Sequence, residues 1–315
     1  MTISGIIKNS RKIKKSKYKK GFIELTIMCI PALALVAMFN YFPMFGLLIA
    51  FKNYTFSKGI LGSQWVGLNN FKFFFTSPDL VNITRNTLLL NLGLIIFSTF
   101  VSIVLALMLY EISNRLLIKT YQTIMFFPYF LSWVVIAYIG YAFFNESYGI
   151  LNKILGAVGM SPVSWYSESG LWPFILIMAG SWKYIGYNTV IYYSSLMAID
   201  SEYFEAATID GASKLRTIMH ISIPFITPVV IMLTLLSLGR IFYSDFGLFW
   251  FLPMQSGMLI PATDVIDTYV FRSLRVIGDI GIASAVNFYQ SVMGMATILI
   301  FNFIVRKVNS ESSLF

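Results

Sequence analysis

A helix that crosses a bilayer needs about 20 mostly apolar residues in a row, because about 30 Å of hydrocarbon is spanned at about 1.5 Å per residue. Six stretches of this chain meet that demand: residues 22–51 (with Pro31 and Pro43 inside), 86–110, 120–144, 171–199, 223–243 and 283–305. None shows the strict alternation of a transmembrane β-strand. The chain is 57% hydrophobic and 12% charged, against about 25% charged in soluble domains. That excludes a water-soluble globule, and the apolar content excludes a disordered chain. The pattern predicts an all-α polytopic membrane protein in the cell membrane. Its parts are a basic tail over 1–21, one domain of six transmembrane helices over 22–305, and a short tail over 306–315.

Lys and Arg partition unevenly between the predicted loops. With the N-terminus inside, the cytoplasmic segments hold 14 of the 23 basic residues, the external ones 7, and Lys183 and Arg240 fall within spans. Excess positive charge marks the cytoplasmic side, so both termini are expected there. The run Arg11, Lys12, Lys14, Lys15, Lys17, Lys19 and Lys20 abuts a span. It reads as a topology determinant against acidic headgroups, not as a nucleic-acid site. The apolar stretch behind it is too long for a cleavable signal peptide.

Residue counts narrow the chemistry further. A single Cys (Cys29) and a single His (His220) exclude an intrachain disulfide, CxxC sites and metal sites needing two His ligands. The phosphate-loop pattern GxxxxGK[ST] is absent, so the chain does not bind ATP in that way. It reads as a non-enzyme with no cofactor of its own.

Residues 200–224 hold the densest information. Asp200 or Ser201 can cap a helix. Glu202 and Glu205 then sit in its first turns, where the helix dipole favours negative charge. Gly211 suits a left-handed terminator. A second short helix carries Lys214, Arg216 and His220, and Pro224 fits the first turn of the next span. The sum is a helix–turn–helix at the inner membrane surface.

Glu205-Ala206-Ala207, then Gly211, then Ile221, Ile223 and Pro224 resemble the motif of permease subunits of binding-protein-dependent ABC importers. Ile223 departs from the usual Leu. Ile209-Asp210-Gly211-Ala212 is most similar to the carbohydrate-uptake branch, maltose-type or polysaccharide-type, and residues 41–54, 66–71 and 86–88 look like the same branch. The resemblance spans roughly residues 20–308. It implies that residues 200–213 form a coupling helix, with Glu205, Ala206, Ala207, Asp210 and Gly211 docking on a cytoplasmic ATPase dimer that binds ATP and Mg. It also implies a second permease subunit (a different chain), an extracellular solute-binding protein and an oligosaccharide substrate.

Polar groups inside spans are expensive and usually face a cavity or one another. In the fourth span, Tyr184, Tyr187, Asn188, Ile191 and Ser195 follow the spacing of one helix face. In the fifth, Ser237, Arg240 and Ser244 do the same. Rings that stack on sugars beside groups that bond hydroxyls suit a carbohydrate path. The alternative is interfacial aromatics with helix–helix hydrogen bonds. The resemblance puts Tyr187 and Ser237 on sugar-contacting positions with the family's residue type. Tyr184, Arg240, Ile241 and Ser244 fall on such positions with different types. Arg240 is a candidate for a ligand carboxylate or hydroxyl, or else for a structural pair with Asp245 or the partner subunit; Lys183 is a second candidate.

Three other features stand out. Glu111 is expected to pair with Arg115 at i+4. Residues 244–282 are expected outside, as a surface for the binding protein or a solvated loop. Asp245 would be the proton carrier if the chain were a secondary transporter, though no inverted repeat of that kind is found. A permease for a non-sugar solute, such as glycerol phosphate or a peptide, is the nearer alternative.

Overall fold

The computed structural model describes residues 24–308. The basic tail over 1–21, and the last tail from residue 309 onward, lie outside the described residues. Four helices are long and apolar enough to cross a membrane: Glu24–Phe51 (α1), Asp79–Tyr110 (α4), Lys214–Gly239 and Ile280–Lys307. A fifth candidate is a bent pair, Arg115–Phe130 with Trp133–Phe144. The protein is thus a mainly helical scaffold with four or five candidate membrane spans among the described residues. Between α1 and α4 lie two short helices, Gly59–Gly62 (α2) and Asn69–Thr76 (α3), and a small antiparallel hairpin, Lys52–Asn53 (β1) with Gln64–Trp65 (β2).

Prolines set how the rods run. In α1 the helix passes through a π-turn at Ala37–Tyr41 into a 3₁₀ segment at Phe42–Phe51, with Pro43 in its first turn. Pro43 has no N–H to bond back, so the ladder changes register there. Large apolar side chains on this helix, among them Leu25, Met28, Phe39 and Phe42, are exposed. An apolar surface of that kind belongs against lipid or another apolar chain.

The third predicted span is not one continuous helix. It consists of Arg115–Phe126 (α5), a 3₁₀ turn at Phe127–Phe130 containing Pro128, and Trp133–Phe144 (α6). The two halves meet at 98°. Pro128 ends the α-helical ladder, Leu131 is extended, and the Ser132 hydroxyl accepts from the Val135 N–H to start α6. No charged residue interrupts 120–144, so the run reads as one span despite Pro128 and Ser132 at the corner.

Two other boundaries move. The second span starts at Asp79, behind Pro78, rather than at 86. The fifth ends at Gly239 rather than 243, so Arg240 and Ser244 leave its helical face. At its other end, Lys214–Thr217 (α10) runs without a gap through a π-turn at Ile218–Ser222 into Ile223–Gly239 (α11). The expected separate short helix and span are one rod. The π-turn absorbs Pro224, which cannot donate to the carbonyl four residues back.

Trp172–Leu196 (α8) has the length of a span but less apolarity, and it is the central helix, packed most extensively on α4. Gly186 lets it meet α5. A Cβ there would lie 1.9 Å from the Met125 carbonyl oxygen, closer than any contact allows. One core surrounds Trp172, Leu176, Leu248, Phe249 and Leu252. A second joins Phe74, Ile83, Phe242, Ile266 and Val286. A third, near the α8–α11 crossing, holds Ala106, Tyr192, Leu196 and Ile226.

Residues 244–282 are not a solvated loop. They form Phe246–Phe251 (α12), Ile260–Thr263 (α13) and Ile266–Arg272 (α14), and the side chains of Leu248, Leu252, Leu259, Val265 and Ile266 are buried. Arg272 pairs with the buried Asp264 carboxylate, which also accepts from Thr268 at 2.6 Å. Burial pushes the Asp264 carboxyl above the usual range, and Arg272 opposes it. Asp267 is also raised by burial, while accepting from the Ser244 N–H at 2.7 Å.

Candidate functional site

A cavity of about 710 Å³ opens where α4, α8, α11 and the turn after α11 converge. Of the residues predicted for a substrate path, Tyr184, Tyr187, Asn188, Ser237, Arg240 and Ser244 line it. Although α11 has ended, the turn folds Arg240 and Ser244 back onto the same wall. Ile241 does not line it. Its side chain is buried in the second core, and its carbonyl accepts from Asn91 at 2.7 Å. A one-residue step off the helix end turns this apolar side chain inward, so the position that the resemblance implied for it is not on the cavity wall. Ser195 is also outside the cavity and bonds back to the Ile191 carbonyl at 3.1 Å.

The cavity also has walls that sequence reasoning missed. Ser98 and Thr99 of α4 and Tyr129 of the broken span contribute to the lining. Tyr129 stacks on Tyr187 with ring centroids 5.2 Å apart and planes 12° apart. It meets Tyr184 edge-on at 6.0 Å. Hydroxyls inside the α4 run Ser98-Thr99 were a visible signal; the inward turn of Tyr129 depends on the corner at Leu131 and was not.

Asp245 sits at the back wall as the cap of α12. It accepts from the Tyr184 hydroxyl and from Trp133 Nε1, both at 2.7 Å, and from the Gly247 N–H at 3.1 Å. It forms no ion pair with Arg240; among the described residues the ion pairs are Lys214–Glu111 and Arg272–Asp264. Lys183 does not reach the cavity either. Its buried ammonium donates to the Tyr129 carbonyl at 3.0 Å and to the Leu131 carbonyl. Those carbonyls lose helical partners at the corner, so Lys183 from α8 supplies the donors the break removes. The ammonium also lies 5.3 Å from the centre of the Trp133 ring.

At the other end of α8, Ser201–Ile209 (α9) forms the first half of the elbow. The Asp200 carboxylate accepts from the Glu202 N–H at 3.1 Å. The helix closes at Gly211 with φ 71°, the Ala212 N–H bonding the Ala207 carbonyl at 2.9 Å. That left-handed end is disfavoured for any residue with a Cβ. Glu205, Ala206, Asp210 and Gly211 are exposed and Ala207 is half-buried. Phe204 packs on Tyr110 at 5.4 Å and Tyr203 on Phe225 at 5.2 Å. The elbow is thus anchored by rings to α4 and α11, while Glu205, Ala206, Asp210 and Gly211 stay exposed. Glu111 pairs with Lys214 of the elbow at 2.6 Å rather than with Arg115. The helix ends at Tyr110 and restarts at Arg115 behind the Asn114 cap, so no i,i+4 geometry links the two.

Residues 98–309 match the model of a family described as the binding-protein-dependent transport system inner membrane component. The chain belongs to this family. It is therefore a multi-pass cell-membrane permease, a transport subunit rather than an enzyme. Among its relatives, protein LplB of Bacillus subtilis (strain 168) is 32% identical over 287 residues, covering 91% of this permease and 90% of that protein. The polygalacturonan/rhamnogalacturonan transport system permease protein YteP of the same organism is 31% identical, covering 95% and 94%. The sn-glycerol-3-phosphate transport system permease protein UgpA of Pectobacterium atrosepticum is 27% identical, covering 90% and 95%. In solved structures, the permease matches a chain of a bacterial ABC transporter that imports the acidic polysaccharide alginate. The TM-score is 0.84 at 28% identity, over 94% of this permease and 99% of that chain. It also matches a chain of a bacterial alginate ABC transporter in complex with an alginate pentasaccharide-bound periplasmic protein, at TM-score 0.83 and 28% identity, over 93% and 97%.

Proposed function

We propose that this permease forms half of the translocation path of an ATP-driven ABC importer for an oligosaccharide. A second permease chain supplies the other half, and an extracellular solute-binding protein delivers the sugar. A separate ATPase dimer, holding ATP and Mg, drives the change between outward and inward access through the elbow at Glu205, Ala206, Ala207, Asp210 and Gly211. Six spans follow when α8 and the bent α5–α6 pair are each counted with the four long apolar helices. An even number of spans leaves both termini on one side, and the excess of Lys and Arg makes that side cytoplasmic, the side of the elbow and the ATPase.

The observation that carries the sugar assignment is the cavity lining. Stacked Tyr129 and Tyr187 stand beside the Asn188 amide and the Ser98, Ser237 and Ser244 hydroxyls. Sugars present apolar ring faces and a rim of hydroxyls, and such a wall answers both. Asp245 does not support a proton-coupled mechanism, since it is the only acid in the lining and already accepts three hydrogen bonds.

Reconstitution with candidate partner chains in liposomes tests the reading. Sugar-loaded binding protein should stimulate ATP hydrolysis, and Ala207→Cys in a Cys29→Ser background should crosslink to the ATPase. Uptake driven by a proton gradient with no ATPase present would refute it.

A further inference from the structure

The cavity wall holds two charged side chains in opposite situations. Asp245 is saturated by Tyr184, Trp133 and the Gly247 N–H. A compensating charge stands behind it, because the Lys183 ammonium lies over the same Trp133 ring that donates to Asp245. Arg240 has no such company. It caps α11 at φ −109° and ψ 15°, which turns it off the rod toward the cavity. It is exposed, and among the described residues no carboxylate pairs with it. A guanidinium keeps its proton and carries five donors in a planar fork. An unpaired one at the end of a membrane span is costly and marks a ligand path. With Asp245 offset by Lys183, Arg240 leaves the cavity one positive charge in excess.

We propose that Arg240 binds a carboxylate of the transported sugar, so that the substrate class is an acidic, uronate-containing oligosaccharide rather than a neutral one. This rests on the sugar-import reading above. A uronic acid offers both features the wall can use. Its ring face lies on the Tyr129–Tyr187 platform, and its carboxylate accepts a two-pronged hydrogen bond from the guanidinium. A neutral sugar fills the platform and leaves the guanidinium with hydroxyls alone.

The test compares initial uptake of oligogalacturonate and alginate oligosaccharides with that of their methyl esters. Proteoliposomes carry the full complex and its binding protein, with native or Arg240→Gln permease. The binding protein is common to both complexes, so its own preference cancels when the acid-to-ester ratios are compared. The ratio should fall by about tenfold or more in Arg240→Gln, as loss of a charged hydrogen-bond partner implies. Arg240→Lys, which keeps the charge but not the fork, should retain an intermediate ratio. An unchanged ratio, or equal loss of acid and ester, overturns the assignment and leaves the importer reading standing. Native complex that takes neutral oligosaccharides and refuses uronates has the same consequence. Poor assembly of Arg240→Gln, restored in Arg240→Lys with the native ratio kept in full, would assign Arg240 to the subunit interface instead. A native complex that moves no oligosaccharide at all overturns the importer reading itself.

Discussion

Replacing Lys183 by methionine tests how the broken span is held. Methionine keeps the unbranched stem and removes only the ammonium. Two donations are lost, to the Tyr129 and Leu131 carbonyls. A hydrogen bond involving a charged group is worth about 1.5–3 kcal/mol, so the gross loss is about 3–6 kcal/mol. Relief from burying the ammonium offsets part of this. The Lys183 side chain is only 6% exposed, so that relief is real, but it leaves two carbonyls unpaired at the corner. A net loss of about 3 kcal/mol follows, the low end of what removing one partner of a buried charge interaction costs. At about 2–4 °C per kcal/mol for a chain of this size, the melting midpoint should fall by about 6–12 °C. Tryptophan fluorescence of the purified complex in lipid nanodiscs reads this out, with Trp133 itself on the moving corner. Lys183→Arg should recover most of the loss, because it retains donors that reach the same carbonyls. A methionine variant melting within about 1 °C of the native protein would show that the corner stands without the ammonium, and the account of the break would be wrong.

Three further outcomes are expected. Gly186→Ala drives a methyl group into the Met125 carbonyl oxygen, and overpacking against backbone should cost about 2–3 kcal/mol and reduce assembled complex on blue-native gels. Gly211→Ala places a Cβ at φ 71°, costing about 1–2 kcal/mol; binding-protein-stimulated ATP hydrolysis should fall, with a smaller drop in the melting midpoint of the complex than Lys183→Met produces. Glu111→Gln removes an ion pair whose Lys214 side chain is 84% exposed, and such a surface pair should change stability by less than about 1 kcal/mol in equilibrium unfolding.

Much of the fold was legible because bilayer length imposes it. Runs of apolar residues announce a rod whatever its neighbours do, and the caps at Asp200 and Gly211 are local chemistry that needs no tertiary information. What stayed hidden depends on contacts distant in sequence. The corner at Leu131 lies inside a run without charged residues, and the residue that stabilises it, Lys183, is 52 positions away. Counting helix faces through residue 244 put Arg240 and Ser244 on the cavity wall although the helix had already ended at Gly239, and Ile241, named from the resemblance alone, packs into the second core instead. Glu111 drew attention to Arg115, its neighbour in sequence, whereas the end of α4 turned it toward Lys214. On α8 the polar pattern led to the cavity at Tyr184, Tyr187 and Asn188 but not at Lys183 or Ser195, which bond to backbone carbonyls instead.

The continuity of Lys214–Gly239 has a mechanical corollary. Those 26 residues make a lever about 39 Å long at 1.5 Å per residue, with the elbow as its handle and Arg240 riding on its tip. A tilt of about 10° at the handle sweeps the tip through about 7 Å, more than the reach of a hydrogen bond. On the proposed coupling, a stroke applied at Ala207 and passed on through Lys214 would reach Arg240 as a displacement of that size, and a grip formed on the cargo at one end of the stroke would be broken at the other.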